Sequence, residues 1–90
     1  MNKQRRKQLS QFDEQLAELL GKLKDIKSEL ETIRDEEQES FDNLSENLQG
    51  GERGQLMENA ITEMDDAISE LETAFDSIEN AISAIGNAGE

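Results

Sequence analysis

The sequence predicts an all-α protein, an antiparallel hairpin of two long helices packed through heptad repeats. Apolar residues recur at alternating spacings of three and four in both halves of the 90-residue chain, which places one apolar stripe on each helix. The chain contains no proline, and its only cluster of glycines, Gly50, Gly51 and Gly54, lies between the two halves. A short connection of this kind makes two long helices antiparallel neighbours, so we expect a single helical-hairpin domain over residues 1–90.

The first helix is expected over about residues 3–41. Its apolar stripe alternates between heptad positions a and d. The stripe consists of Leu9, Phe12, Leu16, Leu19, Leu23, Ile26, Leu30 and Ile33. It stops at DEEQES, where Glu37 and Ser40 occupy the next a and d positions. We therefore expect the helix to be loosened or bent near residues 35–40.

The turn is expected over about residues 42–53. Asp42 and Asn43 are residues that favour turns, and the glycines that follow interrupt any helix. Ser45 is placed to cap one short helical turn that reaches Leu48.

The second helix, expected over about residues 54–86, has the more regular pattern. Its segments AITEMDD, AISELET, AFDSIEN and AISAIGN repeat one heptad, and an alanine precedes every a position. The a and d residues are Ile61, Met64, Ile68, Leu71, Phe75, Ile78, Ile82 and Ile85. Glu52 suits the electropositive start of this helix, and Gly86 is expected to end it.

The apolar stripes predict self-association. Small residues beside each a position let another helix approach closely, and the resulting stripe on the second helix is wider than one partner helix covers. We expect two hairpins to form a four-helix bundle, or a larger one. The expected core and oligomer stripe comprises Leu16, Leu23, Leu30, Ile61, Ile68, Phe75 and Ile82.

Composition argues against an enzyme or a metal protein. The chain has no histidine and no cysteine, so its serines and threonines lack a base, and thiolate or histidine metal sites are excluded. Asp35–Glu46 has acidic residues spaced as in a calcium loop, but Ser40 stands where that loop requires glycine. We expect no catalytic residue, no metal and no cofactor. No apolar run approaches the ~18 residues of a membrane span, so we expect a cytoplasmic protein without a membrane partner.

Charge is distributed unevenly in this chain of net charge −13. Residues 1–34 carry eight basic and six acidic groups, whereas residues 35–90 carry sixteen acidic groups and one basic group, Arg53. Phosphates would be repelled by most of this surface, so direct nucleic-acid binding is not expected.

The densest positive cluster, Arg5, Arg6 and Lys7, stands at the start of the first helix and has two interpretations. The structural one is that it neutralises the end of the second helix, which lies beside it in a hairpin. The functional one is an anion site. If two hairpins pack end to end, the cluster of one copy approaches Arg53 and the free helix N–H groups of the other, a combination suited to phosphate. Within one hairpin the two ends would be roughly 50 Å apart at 1.5 Å per residue, so the site requires an oligomer.

The acidic face of the second helix is a further candidate. Its members are Glu58, Glu63, Asp65, Asp66, Glu70, Glu72, Asp76 and Glu79. A rod of carboxylates imitates a phosphate backbone, so Glu63, Asp66 and Glu70 are expected to contact a host protein in this interpretation. The alternative is a solvated face that only confers solubility.

The segments MNKQRRK and DEEQESFDNLSENLQGGERG, followed by the alanine-led heptads, resemble a group of small acidic helical-hairpin proteins of bacteriophages and mobile elements. The shared features are the basic opening, an aromatic-Asp-Asn turn, LQ-x-x-ERG and a second helix rich in Glu and Ala. The chain departs from the group at Ser45, where Pro is expected, and at Gln55, where Glu is expected.

This resemblance implies a phage protein in a bacterial host cell, and no activity. The leading hypothesis is a counter-defence oligomer that sequesters a nucleotide-like anion through Arg5, Arg6, Lys7 and Arg53. An acidic inhibitor of a host defence protein and a structural coiled-coil adaptor are the alternatives.

Overall fold

The structure, a computed structural model, describes all 90 residues, and α-helix is its only regular secondary structure. Helix α1 spans Lys3–Asp42, α2 spans Glu46–Gln49 and α3 spans Glu52–Ala88. There is no strand, so the all-α prediction is confirmed.

Helix α1 is unbroken. Its first turn is capped by Asn2, whose Oδ1 accepts a hydrogen bond of 2.8 Å from the backbone N–H of Arg5. The helix continues through residues 35–40 without a break, so the expected loosening there is wrong, whereas the bend stays a prediction. A polar residue at an a position weakens packing but leaves the backbone hydrogen bonds intact. In addition, Gln38 Nε2 donates to Asp42 Oδ1 at 3.0 Å, which links successive turns at the end of α1.

The turn is held by side chains as well as by backbone. Ser45 caps α2 as expected, because the backbone N–H of Leu48 donates to its Oγ at 3.4 Å. Gln49 Nε2 donates to the carbonyl oxygen of Phe41 at 3.0 Å, and this oxygen also accepts from the backbone N–H of Leu44. The Gln49 contact joins α2 to the helix before it.

Gly54, in the first turn of α3, is buried against the backbone of Gln49. A Cβ atom at position 54 would lie 2.7 Å from Gln49 Cα and would also meet its carbonyl group. No glycine in the chain has a positive φ, so Gly54 is needed for space and not for backbone conformation.

Helix α3 carries Glu52 in its first turn and ends at Ala88. It passes through Gly86, so the expected end at that glycine is wrong. Gly86 does not adopt the left-handed conformation that ends helices at glycine. The last turn is closed instead by the N–H of Gly89, which donates to the carbonyl of Ile85 at 3.1 Å.

The chain divides into two compact units, Met1–Asp25 with Leu71–Glu90, and Ile26–Glu70. In each unit a segment of α1 packs beside a segment of α3. In the second unit the two segments run antiparallel and form a hairpin, because Phe41 shares a groove with Ile61 while Arg34 contacts Asp65.

The core is thin. Ile68 on α3 is the only buried large side chain, at 6% exposure. The other a and d residues of α3, Ile61, Phe75 and Ile82 among them, are half-buried.

Helix α1 does not present its a and d positions equally to α3. Its a residues Leu9, Leu16, Leu23 and Leu30 are half-buried. Its d residues are exposed: Phe12 at 50%, Leu19 at 44%, Ile26 at 53% and Ile33 at 54%.

Residues at the e positions of α1, the next row round the helix, are half-buried instead. They are Asp13, Leu20, Lys27, Arg34 and Phe41. Long side chains such as Lys27 and Arg34 can cover apolar surface with their stems while their charged ends reach carboxylates. One partner helix covers only a stripe about two rows wide, so α1 is left with a row of uncovered d residues.

Candidate functional site

The basic segment lies in the first two turns of α1. Arg5, Arg6 and Lys7 are all exposed. The ion pairs of the chain lie elsewhere, at Lys27–Glu31 and around Arg34, and involve none of these three side chains. Three cations are therefore left without a carboxylate partner in a chain that has 22 acidic residues.

The helix terminus adds to this positive charge. The first turn of α1 contains no acidic residue, so nothing offsets the partial positive charge of its free N–H groups. Asn2 accepts from the N–H of Arg5 through its side chain and from the N–H of Arg6 through its carbonyl. The unpaired cations and the positive end of the helix both favour an anion at this end of α1.

Arg6 also lies beside the end of α3. It lines a groove with Ser10 and Asp13 of α1 and with Gly86 and Gly89 of the α3 end. This position matches the structural interpretation, in which a cation offsets the negative end of the helix. Asp13 Oδ1 is buried here without a hydrogen-bond partner, and a carboxylate oxygen repels an anion. Asp13 therefore disfavours an anion inside the groove, and an anion near the basic segment has to bind on its solvent-exposed side.

Arg53 is exposed in the first turn of α3, between Glu52 and the buried Gly54. The packing of Gly54 on Gln49 holds the start of the helix that carries it. The basic segment belongs to the first compact unit and Arg53 to the second, and neither unit contains both.

Sequence reasoning missed Arg34, the cation that links the two helices of the second unit. Its Nη1 donates to Asp65 Oδ1 at 3.1 Å, while Nε and Nη2 donate to Asp35 Oδ1 at 3.1 and 3.0 Å. The hydrogen bonds to Asp65 and then Asp35 raise the pKa of the Arg34 guanidinium above its ordinary value. The one sequence signal of this role is that Arg34 occupies heptad position e, beside the apolar a row.

The raised pKa has no effect near neutral pH. An interaction that raises the pKa of a cation stabilises the fold at every pH below the pKa of that cation in the unfolded chain. This stabilisation is lost only as the pH rises through the higher pKa of the folded state. Arginine is charged throughout the physiological range, so this network is a structural contact that does not switch with pH.

The acidic face of α3 is accessible. Glu63, Asp66 and Glu70 are exposed, and Asp65 beside them contacts Arg34. No group of three or more acidic side chains is arranged to hold a metal ion.

The third candidate surface is the exposed d row of α1. Around Phe12 and Leu19 it forms an open groove of about 520 Å³, whose floor includes Leu16 and Ile85. Lys22 and Glu18 line its polar side. An apolar groove with a mixed-charge border is suited to a helix.

Comparison of the chain with protein-family models, with curated proteins and with solved structures finds no match. Neither long helix is apolar enough over a sufficient length to cross a bilayer.

Proposed function

We propose that this protein is a non-enzymatic binding protein that assembles into an oligomer and sequesters an anionic, nucleotide-like ligand. The observation that carries the proposal is the basic segment, three exposed cations without ion pairs at a helix start that has no acidic residue. The resemblance to small acidic phage proteins supports an infected bacterial cell as the setting, and counter-defence is the role that we propose there.

Unpaired cations at this position favour a bound anion over a structural role alone. Arg34 shows what a structural cation does in this chain: it pairs with Asp65 across two helices, whereas the basic segment makes no such contact. Arginine offers a planar set of donors that matches a phosphate, and a helix N-terminus supplies further N–H donors. Arg5, Arg6 and Lys7 supply charge from one copy, and Arg53 of another copy completes the site in this proposal.

Uncovered apolar surface supports the oligomer. The four d residues of α1 each keep about half of their side chain exposed. Covering that half contributes about 1 kcal/mol for each residue, so a symmetric pair of copies gains about 8 kcal/mol. Association costs about 4–15 kcal/mol, so this gain offsets the lower part of that cost and further contacts must supply the rest.

The test is a native mass spectrum of the protein incubated with a mixture of cyclic and linear nucleotides. We expect an oligomer that retains nucleotide mass. The Arg6→Ala/Lys7→Ala variant should lose that mass and keep its oligomeric state. The control, Lys24→Ala, removes a positive charge from an exposed position elsewhere on α1 and should retain the ligand. Absence of bound nucleotide, or equal binding by both variants, contradicts the proposal.

A second candidate is inhibition of a host defence protein by the acidic face of α3. The exposure of Glu63, Asp66 and Glu70, on a helix with no basic residue after Arg53, favours it. Reversing these three charges to lysine should then abolish inhibition, while the Arg6→Ala/Lys7→Ala variant inhibits normally. The opposite result favours ligand sequestration.

A further inference from the structure

A groove in the first compact unit lies between the start of α1 and the end of α3, with a volume of about 270 Å³. Its lining includes Arg6, Ser10, Asp13, Gly86, Gly89 and Glu90. All of these residues belong to one compact unit, Met1–Asp25 with Leu71–Glu90. We call this feature the Asp13 groove.

Asp13 gives the groove an unsatisfied hydrogen-bond acceptor. Its Oδ1 atom is buried and has no hydrogen-bond partner, and Asp13 takes part in none of the ion pairs of the chain. A buried carboxylate oxygen without a partner lowers stability, and an ionised carboxylate accepts hydrogen bonds but donates none. The group that satisfies Asp13 Oδ1 must therefore supply N–H or O–H donors.

Ser10 and Gly86 add a donor and free space to this acceptor. Ser10 and Asp13 are three positions apart, so they share one face of α1, and the Ser10 hydroxyl is able to donate. No atom lies within 4 Å of the position that a Cβ of Gly86 would occupy, so the α3 side of the groove is open. A flat group with two donors and one acceptor along one edge matches this arrangement.

We propose that the Asp13 groove binds the guanine base of a nucleotide whose phosphate is held by the basic segment. Guanine carries N1–H and N2–H side by side, and this pair forms two charge-assisted hydrogen bonds with one carboxylate. Its O6, next to N1–H, accepts from the Ser10 hydroxyl. Adenine and cytosine place an unprotonated ring nitrogen beside their amino group, and uracil places a carbonyl on each side of its N–H. In those bases a lone pair faces the carboxylate.

This inference rests on the proposed function for the phosphate, and it names the class of nucleotide. Asp13 and Glu90 repel an anion inside the groove, so the phosphate stays on the solvent-exposed side of the basic segment. The volume of about 270 Å³ is just below the ~300–1,000 Å³ of ligand pockets, which suits a base whose sugar and phosphate lie outside. Arg6 belongs both to the groove and to the basic segment, and it links the two parts of the site.

Titration calorimetry with nucleoside monophosphates tests the base. Guanosine monophosphate should bind about tenfold more tightly than adenosine monophosphate, with inosine monophosphate, which lacks N2–H, between them. Asp13→Asn replaces one acceptor oxygen by an amide donor and should lose most of the guanosine monophosphate affinity. The variant should gain affinity for xanthosine monophosphate, whose carbonyl at C2 accepts from the new amide. A damaged fold would also lose guanine, but it would not gain xanthine.

Asp25→Asn is the matched control. It removes the same charge from an exposed position of α1 in the same compact unit, so it should keep the affinity and base preference of the natural chain. Circular dichroism checks that Asp13→Asn keeps its helices. Equal affinity of the natural chain for guanosine and adenosine monophosphates, or an unchanged preference in Asp13→Asn, overturns the inference.

Free nucleosides separate this inference from the proposed function, because they carry no phosphate. In NMR spectra of the natural chain, guanosine should shift the backbone amide signals of Gly86 and Gly89, and adenosine should not. Such shifts without nucleotide retention in the mass spectrum support the base site and contradict sequestration. Retention of nucleotides of every base, without nucleoside shifts, supports sequestration and shows that the Asp13 groove holds only solvent. Absence of both results contradicts both proposals.

Discussion

Gly54 is the position where one added methyl group should have the largest effect on the fold. In a Gly54→Ala variant the new Cβ would stand 2.7 Å from Gln49 Cα and would also contact the Gln49 carbonyl, whereas ordinary contacts lie at 3.4–4 Å. The backbone of Gln49 would have to move by about 1 Å. Its side chain is tied to the Phe41 carbonyl, so that movement also strains the hydrogen bond at the end of α1.

The expected decrease in the free energy of unfolding is the difference between the cost of overpacking and the gain from replacing a helical glycine. Overpacking of this kind costs about 1–3 kcal/mol. Replacing glycine by alanine in a helix returns up to about 1 kcal/mol, and less in a first turn. The free energy of unfolding should therefore fall by about 1–2 kcal/mol. For a chain of this length each kcal/mol corresponds to a decrease in Tm of about 4–8 °C.

The assay is thermal and urea unfolding followed by circular dichroism, at one fixed protomer concentration because self-association adds to apparent stability. Gly21→Ala is the matched control: no atom lies within 4 Å of a Cβ there, and the residue is inside α1. It should gain about 0.5–1 kcal/mol. If Gly54→Ala proves as stable as the natural chain while Gly21→Ala shows its gain, the close approach to Gln49 does not constrain the turn.

Three further predictions concern the turn and the contact between helices. Gln49→Ala removes the hydrogen bond to the Phe41 carbonyl and should cost about 1 kcal/mol in urea unfolding, whereas the exposed Gln55→Ala should stay within about 0.5 kcal/mol. Ser45→Ala should lower the free energy of unfolding by about 0.5 kcal/mol, the low end for an N-cap, because the hydrogen bond from Leu48 N–H to Ser45 Oγ is long at 3.4 Å. An unchanged urea midpoint would show that the cap does not stabilise α2. A double-mutant cycle of Arg34→Ala with Asp65→Ala should show a favourable coupling that shrinks with added salt and is constant between pH 6 and pH 9, as expected for an always-charged cation. The cycle of Arg34 with Asp66 is its control, and a coupling of equal size there would show that the Arg34–Asp65 contact is not specific.

The helices and the turn could be predicted from the sequence because their causes are local. Heptad spacing makes each long segment amphipathic, and the cluster of glycines separates them. The cap at Ser45 follows from residue type and position alone. The two local errors have one source: Gly86 and the acidic stretch 35–40 disfavour a helix only mildly, and the neighbouring turns maintain it.

The side of α1 that packs on α3 could not be predicted in the same way. Periodicity shows which residues lie along one stripe, but half of that stripe, the d row, is exposed, and the e row is half-buried in its place. The choice depends on how two complete helix surfaces fit together, including the stems of Lys27 and Arg34, and such contacts join residues that are distant in sequence. The role of Arg34 and the space requirement at Gly54 have the same origin.

The all-α class, the two long amphipathic segments and the capped turn can be deduced from the amino-acid sequence, because each of them depends on residues within one or two helical turns of one another. The folded chain was needed to show which apolar row is covered, which cations have carboxylate partners and which glycine lies against backbone. Those properties depend on contacts at about 3–4 Å between side chains of separate helices. Helical periodicity does not fix the rotation of each helix about its own axis closely enough to specify which side chains make these contacts.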